Sequence, residues 1–360
     1  MARDQMARNR ARPLRVLFLS PTPWGEQRKS FVAGSGPDPE ELHNQLAALG
    51  IESEVIDPNP FPWNPFAGRN SLLDSLDPSR ALRVLTRERR FDVIVSVFEG
   101  SAAPLLALRH LFGLRSKIVL WDIGLTEQWR LRETILDFVV PRADGIMVLG
   151  SNQKPYIERR WQVKAPVDVI LRDADTSFYY PHPSPENGPI VSIGEDAGRD
   201  FNGLLAAAQG LDAELVIKTR RQRQNVDLSG YPNVSLLSEW LSHLALRQLY
   251  ARSRFVVVPL FETLNASGVS SIVEASAMGK GIVVSASDGI RDYIVPDETC
   301  LAVPCGDPKA LRSAMERLIA EPETCARLGA NARRYMEQNF SPAIFAGRMA
   351  QALRRAADGP

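Results

Sequence analysis

The chain has 360 residues, a formal net charge of +1, 44% hydrophobic residues and 24% charged residues. That composition belongs to a soluble globular protein with apolar material for two cores, and the length suggests two domains of ordinary size. The near-zero charge argues against nucleic acid or another highly charged partner, and no apolar run is long enough to span a membrane.

Residues 1–12 read as a disordered basic tail, Arg-rich and without the apolar segment of a secretory signal. A solvated tail and an attraction to anionic lipid both stay open. Cys300, Cys305 and Cys325 form no CxxC pair, and without a signal peptide they read as reduced thiols of a cytoplasmic protein. His43, His110, His182 and His243 lack metal-ligand spacing, so no metal site is expected.

From Leu14 the chain alternates strands and helices. LRVLFLS (residues 14–20) is a continuous apolar run, the pattern of a strand buried on both faces. Asp38-Pro39 is expected to open a helix as N-cap and first helical residue. Leu42, Leu46 and Leu49 are expected to line one face of it, and Gly50 to end it. Residues 51–57, 91–97, 117–120, 145–149 and 167–171 read as further strands with helices between. PNPFPWNPF (residues 58–66) carries too many prolines for a central strand or helix. It is either an ordered loop or an acceptor-side or membrane-facing lip.

The proline-rich stretch at residues 179–189 (YYPHPSPENGP) reads as a linker. Strands are then expected at 190–193, 213–217, 234–237 and 254–259, with helices at 201–209 and 244–252. Helices at the end of the chain start at Asp307-Pro308, near Glu321 and at Pro342. Two alternating β/α halves predict an α/β protein of two doubly wound, Rossmann-like lobes facing across a cleft, with the carboxyl ends of the strands turned toward it. The expected boundaries are 13–180 for an N-terminal, acceptor-side lobe, 181–188 for the linker and 189–340 for the second lobe. Residues 341–360 are expected as a helix crossing back to the first.

The stretch ASGVSSIVEASAMGKGIVVS (residues 266–285) carries the sharpest chemical signal. A Ser-Gly turn leads into a helix expected to start near Ser270 or Ser271, either of which suits a cap. Free N–H groups and the positive end of the helix dipole make an anion site there. Gly268, lacking a Cβ, lets an anion such as a diphosphate approach the backbone. Glu274 lies about one turn on, roughly 5 Å of rise, where a carboxylate could accept both hydroxyls of an attached ribose. A solvent-facing glutamate favoured by the dipole is the plain alternative.

The flanking blocks EASAMGKGIVVSASDGIRDYI, LAVPCGDPKALRSAMERLI and RLGANARRYMEQNFS resemble the retaining nucleotide-sugar glycosyltransferases of family 4, which have the GT-B fold. Upstream, LYARSRFVVVPL, VSIGEDAGRDFNGLLAAA and DADTSFYYP are similar to other parts of that family. The resemblance spans residues 189–341 and is only architectural over 1–165. It implies a hexosyltransferase whose donor is a nucleoside-diphosphate sugar, UDP before GDP, with no cofactor and no metal. The acceptor would be a carbohydrate, a lipid-linked sugar or a small molecule, in polysaccharide, glycolipid or glycoconjugate synthesis, with peripheral membrane contact possible and no nucleic acid partner.

The resemblance implies that Glu274 holds the ribose, and that Ser267, Gly268, Val269 and Ser270 present backbone to sugar and diphosphate. Arg199, on the loop after Gly194, would bind phosphate, with Lys218 as a second cation and Leu237 beside the base. The family's earlier glutamate is Ala266 here; a branch with a Ser-Gly turn also lacks it. In the first lobe, Gly34, Ser35, Gly36 and Glu99 are acceptor-side candidates, and Asp122, after a strand, a catalytic one; a turn cap is its plain alternative. A non-catalytic sugar-nucleotide-binding protein and a nucleotide-sugar epimerase are the rival readings.

Overall fold

In a computed structural model, described over residues 12–58, 78–125, 130–220 and 228–359, the apolar runs pair into two six-stranded sheets. The first contains β1 (Leu14–Leu19), β2 (Ile51–Val55), β3 (Val93–Val97), β4 (Lys117–Trp121), β5 (Gly145–Val148) and β6 (Val167–Val169). Its order is β2-β1-β3-β4-β5-β6, and every pair is parallel. The second contains β7 (Ile190–Ile193), β8 (Leu215–Lys218), β9 (Val234–Leu237), β10 (Val256–Val258), β11 (Ile282–Ser285) and β12 (Leu301–Val303). It runs β12-β11-β10-β7-β8-β9, again all parallel.

Parallel strands are covered on both faces by their crossover helices, which is why residues such as Val16, Val93, Ile94, Val257 and Val283 are fully buried whichever face they take. Each sheet reverses strand order once, between β1 and β3 in the first lobe and between β7 and β10 in the second. Chains leave the sheet in opposite directions at such a switch point, and the crevice they open is where α/β proteins bind ligands.

The helices follow the apolar periodicity with local corrections. In the first lobe α1 is Trp24–Ser30 and α2 is Glu41–Ala48. The second begins two residues later than the Asp38-Pro39 signal, because the Asp38 carboxylate accepts from Glu40 N at 2.8 Å inside a preceding turn. Leu46 is fully buried on it, whereas Leu49 is exposed and His43 is buried instead. Helices α3 (Pro78–Leu85), α4 (Ala102–Phe112), α5 (Arg130–Val139) and α6 (Gln153–Trp161) complete that lobe's crossovers. The proline-rich residues 59–66 and the tail 1–11 lie outside the described residues.

In the second lobe α7 (Phe201–Ala208), α8 (His243–Arg252), α9 (Val269–Ala277), α10 (Pro308–Ala320) and α11 (Pro322–Asn339) pack around the sheet. Asp307 caps α10, accepting from Lys309 N and Ala310 N. The last described helix, α12 (Pro342–Asp358), returns to the first sheet. Its Phe345, Met349 and Leu353 share a core cluster with Val16, Phe18, Val95 and Val119. Among the described residues, no helix is long and apolar enough to cross a membrane.

Candidate donor and acceptor cleft

The switch point of the second sheet assembles the motif residues. The loop leaving β7 and the loop leaving β10 run side by side: Arg199 pairs with Leu260 in an antiparallel bridge, Asp200 N donates to Pro259 O at 3.2 Å, and Phe261 N donates to Gly198 O at 2.9 Å. The second loop then enters α9. The sequence points to Ser270 or Ser271 as cap, but the helix starts at Val269 with Gly268 as N-cap and no side-chain cap bond. Gly268 has φ +80°, and a Cβ there would come within 2.8 Å of Val258 Cγ1. Both constraints require glycine. Ser270 is exposed, Val269 turns its side chain into the core, and Ser271 is drawn inward, donating to Ile193 O at 2.7 Å.

Arg199 is 2% exposed. Its guanidinium lies on Gly194, where a Cβ would stand 2.3 Å from Nε. It donates through Nε to Asp196 at 2.9 Å and through Nη2 to Ser271 Oγ at 2.8 Å. Its Nη1 is buried without a partner, a donor left over beneath the start of α9. Lys218, at the end of β8, is also buried, and its Nζ donates to Glu195 at 2.9 Å. Arg220 donates through Nε to the other oxygen of Glu195 at 2.6 Å. Burial works against the Glu195 carboxylate, yet the hydrogen bonds from Lys218 and Arg220 hold its pKa below the usual range. The two cations expected to face phosphate are thus each matched by a carboxylate of the same loop.

Glu274 projects from the second turn of α9. Tyr250 Oη donates to its Oε2 at 2.9 Å and Tyr179 Oη to its Oε1 at 3.4 Å. Burial raises its pKa against the pull of those hydroxyls and of Arg172 and Arg199. Two donors leave lone pairs on both oxygens, since a carboxylate accepts at about four sites. The carboxylate is therefore oriented from behind and remains able to take further hydroxyl donors. Leu237 is exposed at the end of β9, and Trp240 just beyond it is 80% exposed.

In the first lobe, Phe98 and Asp122, at the carboxyl ends of β3 and β4, both take left-handed backbone angles, φ 62° and 55°. Non-glycine residues are held there only when their surroundings enforce it, and such positions concentrate at functional sites. Burial raises the Asp122 pKa to about 6, with Arg172 and Arg132 opposing and Glu99 adding. Glu99 itself is fully buried; Arg132 Nε donates to it at 2.6 Å and Gly124 N at 3.3 Å. It supports the loop and does not face the cleft. Gly34 and Ser35 are exposed, while Gly36 is buried against the His243 side chain of the second lobe.

The lobes are joined at this level. Asn265 accepts from Leu125 N at 2.9 Å and donates to Leu125 O at 3.1 Å. Asn152 donates to Leu264 O at 3.1 Å. Ser151 N and Oγ donate to Asp292 at 2.6 and 2.8 Å, and Tyr293 Oη donates to Leu149 O at 2.7 Å. The turn before α9 is thereby fixed against the loop that carries Asp122. Arg172, exposed on the segment between the lobes, exerts its charge on both Asp122 and Glu274. Sequence reasoning did not single out Tyr179, Tyr250, Asn265, Glu195 or Arg172; none carries a local signature, since each acts across a tertiary contact. Among the described residues, no group of three or more His, Cys, Asp and Glu is placed to hold a metal ion.

Comparison with known proteins agrees with this fold. Residues 228–335 match the family model described as glycosyl transferases group 1. No curated protein matches the sequence. Among solved structures, a sucrose-phosphate synthase from Thermosynechococcus elongatus is similar, with TM-score 0.74 at 20% identity over 95% of this chain and 98% of that one. A glycosyltransferase from Rickettsia africae has TM-score 0.69 at 14% identity, over 96% and 98%. The Anabaena protein HepE in complex with UDP and glucose has TM-score 0.69 at 16% identity, over 95% and 99%. The chain has the GT-B fold, and its residues 228–335 carry the glycosyl transferases group 1 match.

Proposed function

We propose that the chain is a retaining glycosyltransferase that moves a hexose from a nucleoside-diphosphate sugar, UDP before GDP, to a carbohydrate, lipid-linked or small-molecule acceptor. The observation that carries this reading is the meeting of three parts at one switch point: the Gly194–Arg199 loop, the Ser267–Gly268 turn at the start of α9, and the Glu274 carboxylate. The family match over residues 228–335 covers the last two. UDP is favoured over GDP because a neighbour of the same fold is seen with it.

In this reading Glu274 accepts the ribose hydroxyls, and the backbone of Ser267–Ser270 with the α9 dipole stabilises the diphosphate. The acceptor lies on the Asp122 side. Its hydroxyl oxygen bonds to the sugar's anomeric carbon as the bond to the diphosphate breaks on the same face, and the hydroxyl proton passes to the departing phosphate oxygen. No protein nucleophile is needed, consistent with Ala266 in place of an acid. Catalysis would come from positioning and from stabilising the leaving group.

Thermal unfolding with UDP, GDP, ADP, dTDP and NAD tests this, wild type beside Glu274→Ala. A ligand at 100 times its Kd stabilises by about 2.7 kcal/mol. One nucleoside diphosphate should raise Tm in wild type and not in the variant; a response to NAD alone, or to none, would sink the proposal. Ala266 favours a second reading, a sugar-nucleotide-binding protein without turnover. Release of UDP from a UDP-sugar separates the two.

A further inference from the structure

The pairing at the mouth of β8 has a consequence that rests on the donor-site reading. Lys218 sits beside the phosphate loop because β7 and β8 pair with Ile193 opposite Lys218, and Gly194 N donates to Lys218 O at 3.1 Å. Lys218 is 5% exposed, and a buried charge of that kind is stable only with an anionic or hydrogen-bonding partner. Glu195 supplies one, using one carboxylate oxygen on Lys218 and the other on Arg220. The bridge is open to solvent on its outer side, where the Glu195 and Arg220 side chains are 30% and 49% exposed. The Arg220 half is an exposed ion pair, which separates at little cost; the Lys218 half is buried, so Glu195 leaves it readily only when another anion takes its place. Arg199, the other cation of the loop, lies beneath at 2% exposure and is already bonded to Asp196 and Ser271. Among the described residues at the mouth of this loop, Glu195 covers both Lys218 and Arg220, while Arg199 offers only its buried Nη1.

We propose that Glu195 is a built-in counter-anion that sets the cleft's affinity for the donor: its carboxylate holds Lys218 and Arg220, and a diphosphate binds by displacing it. Glu195 keeps the buried ammonium neutralised, and the nucleotide competes with an anionic group on the protein's own loop. Affinity is lowered by the fraction of time that Glu195 is in place.

The test is calorimetric titration of the folded protein with UDP, inorganic pyrophosphate and uridine. Wild type is compared with Glu195→Gln and with the double variant Glu195→Gln/Lys218→Met. The double variant leaves no unpaired buried charge, so a folding defect in the single variant does not decide the outcome. If Glu195 is displaced in a tenth of molecules, Glu195→Gln binds UDP and pyrophosphate about tenfold more tightly. Uridine affinity stays unchanged, and the double variant loses the gain, as a coupled pair requires. Equal or weaker binding of UDP by Glu195→Gln overturns the proposal, because Glu195 then positions Lys218 or does nothing. A gain that extends to uridine, or that survives undiminished in the double variant, overturns it too. If wild type and variants all fail to bind UDP and pyrophosphate, the donor-site reading itself falls.

Discussion

At the residue scale, two carboxyls carry opposite expectations. Glu274 has a raised pKa because it is buried. If ribose hydroxyls donate to its ionised form, UDP affinity weakens on acidification, and it does so at a pH above the usual carboxylate range of about 4. Titration calorimetry across pH checks this; Glu274→Gln should bind weakly and show no such dependence. Removing its partner has a separate effect. Tyr250→Phe leaves the carboxylate one donor short and should cost about 1–2 kcal/mol in chemical unfolding. Asp122 is the cleaner case for linkage. Its folded pKa, raised to about 6, lies above the unfolded value near 3.9. The folded state therefore holds the proton longer, and stability is lost as pH rises from about 4 to about 6. Asp122→Asn avoids that loss and suits the left-handed backbone equally well. It should be more stable than wild type by about 3 kcal/mol at pH 8, with the difference vanishing below about pH 4 in urea unfolding.

At the element scale, the start of α9 is constrained both by its backbone angle and by its close approach to β10. Gly268→Ala forces a Cβ into a left-handed turn and against Val258. It should cost about 1–3 kcal/mol of stability, measured by denaturant midpoint, and lower nucleotide affinity with it. The same helix shows what was legible in the sequence. Apolar runs such as FVVVP and IVVS gave strands because burial on both faces leaves no other pattern, and Asp307-Pro308 marked a helix start because capping is local. The start of α9 was misplaced at Ser270 or Ser271, the residue types that cap helices most often. Here the close approach of β10 selects glycine, and Arg199 draws Ser271 inside. Likewise Lys218 and Glu99 read as cleft residues from their places at strand ends. Their partners, Glu195 and Arg132, are fixed only when separate elements meet.

At the scale of the whole molecule, hydrogen bonds join the two lobes at the cleft, beside the packing of Leu264 on the core of the first lobe. Asn265 joins the turn before α9 to the Asp122 loop through both its oxygen and its nitrogen. Asn265→Ala removes two bonds, each worth about 1 kcal/mol, and should favour an opened arrangement. The expected result is a larger radius of gyration in solution scattering and transfer about tenfold slower, with UDP affinity unchanged because the proposed base and ribose contacts, Leu237 and Glu274, lie within one lobe. The returning helix α12 bears on a different event, synthesis on the ribosome. Phe345, Met349 and Leu353 complete a layer whose other members, Val16, Phe18 and Val95, are translated more than 240 residues earlier. The first lobe emerges with one face of its sheet only partly covered, by Trp24, Leu42 and Leu46, and must wait for the second lobe to be made. Its folding closes only when α12 has left the exit tunnel, so the half that is translated first is the half that is finished last.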